Sequence, residues 1–133
     1  MQKYESTIRV RMSQADAHYG GDMVDGAKIL KLFGDIATEL LIRHDGDEGL
    51  FLRYDEVKFL SPVYAGDFIE AKGWITEVGK TSRKIEFVAK KVIQSLKDPT
   101  QPTAADYLDD PIIITEARGV CVAPEKLQRK RSK

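Results

Sequence analysis

The 133-residue sequence holds one cysteine, Cys121, two histidines and one tryptophan, and its 21 Lys and Arg are matched by 21 Asp and Glu. A lone cysteine excludes an intrachain disulfide, and the few His and Cys residues supply no ligand set for a structural zinc ion, so no metal is expected. A net charge of zero lacks the Lys and Arg surplus that phosphate neutralisation requires, so nucleic acid is not an expected partner. Apolar runs are short, such as Leu40-Leu41-Ile42 and Ile112-Ile113-Ile114, far below the ~20 residues of a membrane span. The opening MQKYESTIRV carries charge where a secretory signal is apolar, and the expectation is a cytoplasmic protein without membrane contact.

What the chain does contain is periodic. Residues 4–12 alternate, with Ile8, Val10 and Met12 on one face and Thr7, Arg9 and Arg11 on the other, which predicts a strand. Residues 13–25 are polar and include Gly20-Gly21, reading as a loop long enough to suggest a function. Ile29, Phe33, Ile36 and Leu40 then recur at helical spacing and predict a helix over 27–44, with Asp25 as N-cap and His44 with Gly46 as the stop. Residues 49–60, 67–78, 83–96 and 111–123 are rich in Val, Ile, aromatics and Thr and are separated by turn signals, which predicts four more strands. The order β-α-β-β-β-β makes this an α+β protein whose helix must lie on the sheet to bury its apolar arc. Between them, the stretch from Lys97 to Pro111, with three Pro and four Asp, reads as a surface excursion. One domain over 1–125 and a basic, loosely held tail over 126–133 complete the expected organisation.

Particular residues add to this pattern. The run Val57-Lys58-Phe59-Leu60-Ser61-Pro62-Val63-Tyr64-Ala65-Gly66-Asp67 resembles the VxFxxPVxxGD turn of hot-dog proteins. Its physical content is plain: Pro62 ends strand pairing, Gly66 can take positive φ, and Asp67 can bond the adjacent backbone. Val78-Gly79-Lys80-Thr81-Ser82 resembles the turn that in this family lies near bound coenzyme A. From Asp16-Ala17-His18-Tyr19 through Gly34-Asp35-Ile36-Ala37-Thr38-Glu39-Leu40 to Gly66-Asp67-Phe68 and Gly73-Trp74-Ile75, the chain resembles a narrower group, the 3-aminoacyl-CoA ammonia-lyases. The resemblance implies a hot-dog fold, with one long helix wrapped by an antiparallel five-stranded sheet. It further implies reversible elimination of ammonia from L-3-aminobutyryl-CoA to give crotonyl-CoA, with β-alanyl-CoA the other substrate of the group and lysine fermentation the setting. No cofactor is implied beyond the coenzyme A of the substrate. It also implies a homodimer with sites at its interface, assembled into a hexamer as a trimer of dimers.

That chemistry needs a base for the α proton, a site for the thioester oxygen as it gains charge, and a site for the amino group. Asp35 and Glu39 are four apart on one flank of the helix and are the candidate carboxylates, one as base and one for the ammonium. They equally read as a solvated edge partnered by Lys28. In many hot-dog thioesterases an acid follows the Gly that opens the helix at a short fixed spacing, which here lands on Phe33, so Asp35 and Glu39 stand as equals. His18 is a candidate proton carrier and Tyr19 a hydrogen-bond donor to substrate. Gly26 and Ala27, at the helix start, offer unpaired backbone N–H groups to the thioester. Gly79, Lys80, Thr81, Ser82 and Arg83 are the candidate coenzyme A contacts, followed by Lys84, Lys90, Lys91 and the tail residues Arg129, Lys130 and Arg131. Tyr54, Trp74 and Cys121 read as packing residues. A thioesterase using the same acid to activate water is the alternative, and the second carboxylate favours the lyase.

Overall fold

A computed structural model describes residues 5–130. In chain order they form β1 (Glu5–Arg11), β2 (Ala17–Tyr19), β3 (Met23–Val24), α1 (Gly26–Asp45), β4 (Leu50–Phe59), β5 (Val63–Tyr64), β6 (Phe68–Val78), β7 (Ser82–Ser95) and β8 (Ala105–Val122). The main sheet is antiparallel with five strands ordered β1-β6-β7-β8-β4. This is the α+β, five-stranded hot-dog arrangement expected from the sequence.

The helix forms where the apolar spacing placed it. Asp25 adopts extended backbone and its carboxylate accepts the Lys28 N–H at 3.3 Å. Gly46, at φ 74°, closes the other end by donating its N–H to the Ile42 carbonyl at 2.8 Å, a conformation that costs glycine little. Between the caps, Ile29, Phe33, Ile36, Leu40 and Leu41 are buried, each large side chain contributing about 1.5–3 kcal/mol relative to exposure. On the helix-facing side of the sheet, cross-strand rows run Ala71, Ala89, Thr115 and Gly73, Phe87, Ala117. Phe33 stacks on Phe87 with ring centroids 4.8 Å apart. Gly73 is small for a reason: a Cβ there would stand 2.7 Å from Ile36 Cγ2 and 3.0 Å from Phe87 Cδ1.

The expected turn after β4 holds in detail. Leu60 donates to the Ile114 carbonyl at 2.7 Å before Pro62 ends the pairing, and Gly66 turns at φ 95°. Fully buried Asp67 accepts the N–H groups of Tyr64 at 2.8 Å and Ser95 at 2.9 Å and pairs with Lys91 at 3.0 Å. One carboxylate therefore ties β5, β6 and β7 together at the end of the sheet beside the α1 N-terminus.

Two expectations change. The segment over 13–25 is not a plain loop: β2 pairs with β3 and β3 with β5 as a small second sheet, with short 3-10 turns on either side of β2. Strands of two or three residues carry no readable period, so only tertiary pairing forms them. The excursion from Lys97 to Pro111 is strand in its second half, because β8 begins at Ala105 and continues the β7 hairpin. Lys91 faces Ile112 while Ile93 faces Tyr107, so residues 108–111 bulge opposite Val92. Pro111 is tolerated there because a bulge asks no ladder N–H of it. The chain after β8 runs back over the helix terminus, where Arg129 N–H bonds the Asp45 carbonyl at 2.8 Å and Gln128 donates to the Lys80 carbonyl at 2.9 Å.

Replacing Gly73 with Ala forces a methyl against Ile36 and Phe87. Urea unfolding should show a loss of about 1–3 kcal/mol, while an Ala at Gly34, whose Cβ position is open, should leave stability unchanged or raised.

Candidate active site

A cleft of about 430 Å³ opens at the N-terminus of α1. Its lining brings together Tyr19, Gly26 and Ala27, three of the residues singled out from sequence, with Phe59, Pro62 and Thr115. The Phe59 ring lies against Gly26 so closely that a Cβ there would stand 2.4 Å from it. Glycine is therefore what lets the ring and the helix start meet. Asp25 takes the Lys28 N–H, and among the described residues no hydrogen bond uses the N–H groups of Gly26 and Ala27. These two donors, at the positive end of the helix dipole, suit an oxygen acquiring negative charge.

Sequence reasoning did not single out Thr115, and it read Phe59 only as part of the run from Val57 to Asp67. They face each other across the β4–β8 pair. Thr115 is 0% exposed, and its hydroxyl is the one buried side-chain polar atom among the described residues that has no hydrogen-bond partner. Leaving a hydroxyl so costs about 1–3 kcal/mol. The available signal was a Thr amid the apolar positions of a central strand.

The two carboxylates share a flank of α1 as the spacing implied, and both are exposed in the protomer. Their surroundings differ. Glu39 accepts a hydrogen bond from the Ser6 hydroxyl and pairs with Arg43 at 3.7 Å, whereas Asp35 has no side-chain partner among the described residues. Lys28 does not partner them: it pairs with Asp16 at 3.3 Å and ties the preceding segment to the helix start. Asp16 also accepts the Ser13 N–H at 2.8 Å, and that bond, with the Ser13 hydroxyl and Lys28, holds its carboxyl below the ordinary range against a smaller upward push from burial. Phe33, where the thioesterase spacing falls, is fully buried core. At about 1.5 Å per residue, Asp35 lies about 14 Å and Glu39 about 20 Å along the axis from Gly26. His18 is exposed and meets the Tyr19 ring edge-on at 5.0 Å, beside the cleft rather than in its lining.

The turn over Gly79–Arg83 sits at the opposite end of α1. Gly79, Lys80, Thr81 and Ser82 form an accessible hairpin turn, with the Gly79 N–H bonded to the Ser82 carbonyl at 2.8 Å. Arg83 differs from expectation. It is 2% exposed and grips Asp45 with Nη2 at 2.7 Å and Nε at 3.0 Å, while Nη1 donates to the Gly79 and Ser82 carbonyls at 2.9 Å. Its guanidinium locks the turn onto the helix C-terminus and is not presented to a phosphate. Lys91 is likewise withdrawn, buried against Asp67, whereas Lys84 and Lys90 are exposed. Of the tail cations, Arg129 bonds the Gly46 carbonyl at 3.1 Å, and Arg131 lies outside the described residues.

Burial pushes the Asp45 carboxyl up, but hydrogen bonds from Arg83 and His44 and the Arg83 charge outweigh it and hold the carboxyl below its ordinary range. Burial pushes the Cys121 thiol up to about 12 and, with the neighbouring thiol, the Tyr54 phenol up to about 12. Both stay protonated at neutral pH and act in packing, Tyr54 against Phe51 with ring centroids 4.5 Å apart. Among the described residues no three His, Cys, Asp or Glu side chains converge as a metal site requires.

A depressed carboxyl stabilises the fold above its unfolded-state value, and that contribution is lost as pH falls through the folded-state value. Replacing Asp45 with Asn should remove this acid-side dependence and strand Arg83, costing about 3–5 kcal/mol in urea unfolding. Replacing Arg83 with Met should lower the melting temperature in the same way.

The Thioesterase superfamily profile matches residues 22–93. The chain is 56% identical over 126 residues to the 3-aminobutyryl-CoA ammonia lyase of Acetoanaerobium sticklandii, across 95% of this chain and 99% of that protein. Its structure superposes on the beta-alanyl-CoA:ammonia lyase from Clostridium propionicum with a TM-score of 0.94 at 37% identity, covering 100% of this chain and 94% of that one. A hexameric hotdog fold thioesterase of Campylobacter jejuni shares the fold alone, with a TM-score of 0.73 at 17% identity over 95% of this chain and 88% of that one. With its helix seated on one five-stranded sheet and its cleft at the helix start, the chain belongs to the hot-dog thioesterase superfamily, in the branch of these ammonia lyases.

Proposed function

We propose that the chain is a carbon–nitrogen lyase that reversibly eliminates ammonia from L-3-aminobutyryl-CoA to give crotonyl-CoA. The observation that carries this reading is the 56% identity to the 3-aminobutyryl-CoA ammonia lyase along nearly the whole chain. The site's chemistry is consistent with it. The N–H groups of Gly26 and Ala27 take the thioester oxygen as the α proton leaves, with Tyr19 at the cleft wall. Asp35, without a partner, serves as base, and Glu39, held by Ser6 and Arg43, offers countercharge to the ammonium. His18 relays the proton at the cleft mouth, and the turn over Gly79–Ser82 receives coenzyme A. In this reading coenzyme A is part of the substrate, no metal or further cofactor takes part, and the setting is lysine fermentation in the cytoplasm.

Two copies of the chain are needed for this site. Asp35 and Glu39 lie too far along α1 to reach a thioester held at Gly26 of the same protomer. β4 is an open edge strand carrying exposed Leu50, Leu52 and Phe59, a surface that pairing with a second copy covers. The reading is therefore a homodimer with shared sites, assembled as a trimer of dimers.

Incubation with crotonyl-CoA and ammonium tests the reaction. Ammonium-dependent loss of the enoyl-thioester absorbance without release of free thiol is the expected result. Thiol release without ammonium dependence would reassign the carboxylates to water activation in a thioesterase. Asp35→Asn should lower kcat by about a hundredfold or more, as loss of a general base does, whereas Glu39→Gln should act mainly on the KM for the amine.

A further inference from the structure

We propose that the Thr115 hydroxyl is the hydrogen-bonding partner of the nitrogen on the substrate's β carbon and orients it for bond breaking and bond making. The proposal rests on the ammonia-lyase reading and assigns a residue to the nitrogen's place in that site. The Thr115 hydroxyl is fully buried without a partner, beside a helix start whose first N–H groups are also unused. Valine has nearly the same shape and would fill the position with no unpartnered polar atom, so packing does not explain threonine. The cleft around it is otherwise largely apolar, lined by Val24, Ile29, Val63, Ile114 and Phe59. In its helix-facing row Thr115 follows the small, fully buried Ala71 and Ala89. Phe59, its cross-strand neighbour, closes the cleft over Gly26.

A hydroxyl suits this nitrogen because it both accepts and donates. In elimination, the base takes the α proton and the pair it leaves is held by the thioester as an enolate. That pair forms the Cα–Cβ double bond as the C–N bond breaks with its own pair staying on nitrogen, and the ammonium group leaves as neutral ammonia. Thr115 accepts an N–H throughout. In the reverse direction the same bond holds ammonia with its lone pair aimed at Cβ, which is where orientation lowers the barrier. A carboxylate at this depth would hold the cation and oppose release of the neutral amine.

Steady-state kinetics of crotonyl-CoA amination on Thr115→Val and Thr115→Ser test the assignment. In the valine variant the KM for ammonium should rise roughly ten- to a hundredfold while that for crotonyl-CoA stays within about twofold. Serine should restore most of the loss, and the melting temperature of the valine variant should not fall. An unchanged KM for ammonium in the valine variant would overturn the assignment, as would parallel rises for both substrates that serine does not rescue. Should valine distort the cleft, Thr115→Ala with an unaltered melting temperature carries the same two outcomes. Failure of the wild-type protein to consume crotonyl-CoA with ammonium overturns the lyase reading itself, whereas wild-type turnover with a silent valine variant overturns only Thr115.

Discussion

The seat of α1 on the sheet is the constraint from which the remaining geometry follows. Ile36 reaches the sheet at Gly73, where no side chain intervenes, and Phe33 stacks on Phe87 beside it. Close packing of this kind leaves the helix no freedom to slide or rotate, because displacement by one residue would turn the apolar arc out of the core. With the axis fixed, the helix start falls against Phe59 and Thr115, and the flank bearing Asp35 and Glu39 falls outside the core. The same contact that stabilises the fold therefore decides which groups face a cleft and which face solvent or another copy.

Buried charge fastens each end of that helix. At the C-terminus, Asp45 and Arg83 form a two-pronged pair that joins the β6–β7 turn to α1, with Arg129 and Gln128 closing over it. Near the N-terminus, Asp67 gathers Tyr64, Ser95 and Lys91 and fixes the turn leading into β6. Such pairs contribute less to net stability than to geometry, since desolvation offsets much of their attraction. Their value here is that each removes a basic residue from the surface and uses it to hold a turn in place.

Much of this was legible in the sequence. The period of Ile29, Phe33, Ile36 and Leu40 announces the helix, Asp25 and Gly46 its ends, and the run from Val57 to Asp67 the turn that identifies the fold. Tyr19, Gly26 and Ala27 do converge, because they stand next to the helix start in the chain and need little tertiary information to meet. What the sequence hid depends on long-range pairing. Arg83 and Lys91 look like surface cations beside a turn, and only the fold shows Asp45 and Asp67 waiting for them. The short strands β2, β3 and β5 exist through one another, and the bulge over 108–111 lets a Pro-bearing acidic stretch enter a strand. For Thr115 the sequence offers only a Thr among apolar strand positions, and what distinguishes it, a missing partner, needs the fold.

The chain thus divides its reactive groups by distance along one rigid helix, with N–H donors at the start and carboxylates several turns beyond. In the proposed arrangement one copy holds the thioester while another supplies the base, and subunit mixing tests this. Gly26→Pro disables the helix start, deleting an N–H and setting its ring against Phe59, and Asp35→Asn deletes the base. Each variant alone should be inactive, whereas after subunit exchange at equal amounts about a quarter of wild-type activity should return, because half the dimers then carry one intact site of two. A mixture no more active than the sum of its parts would place both groups in the same copy and contradict the account.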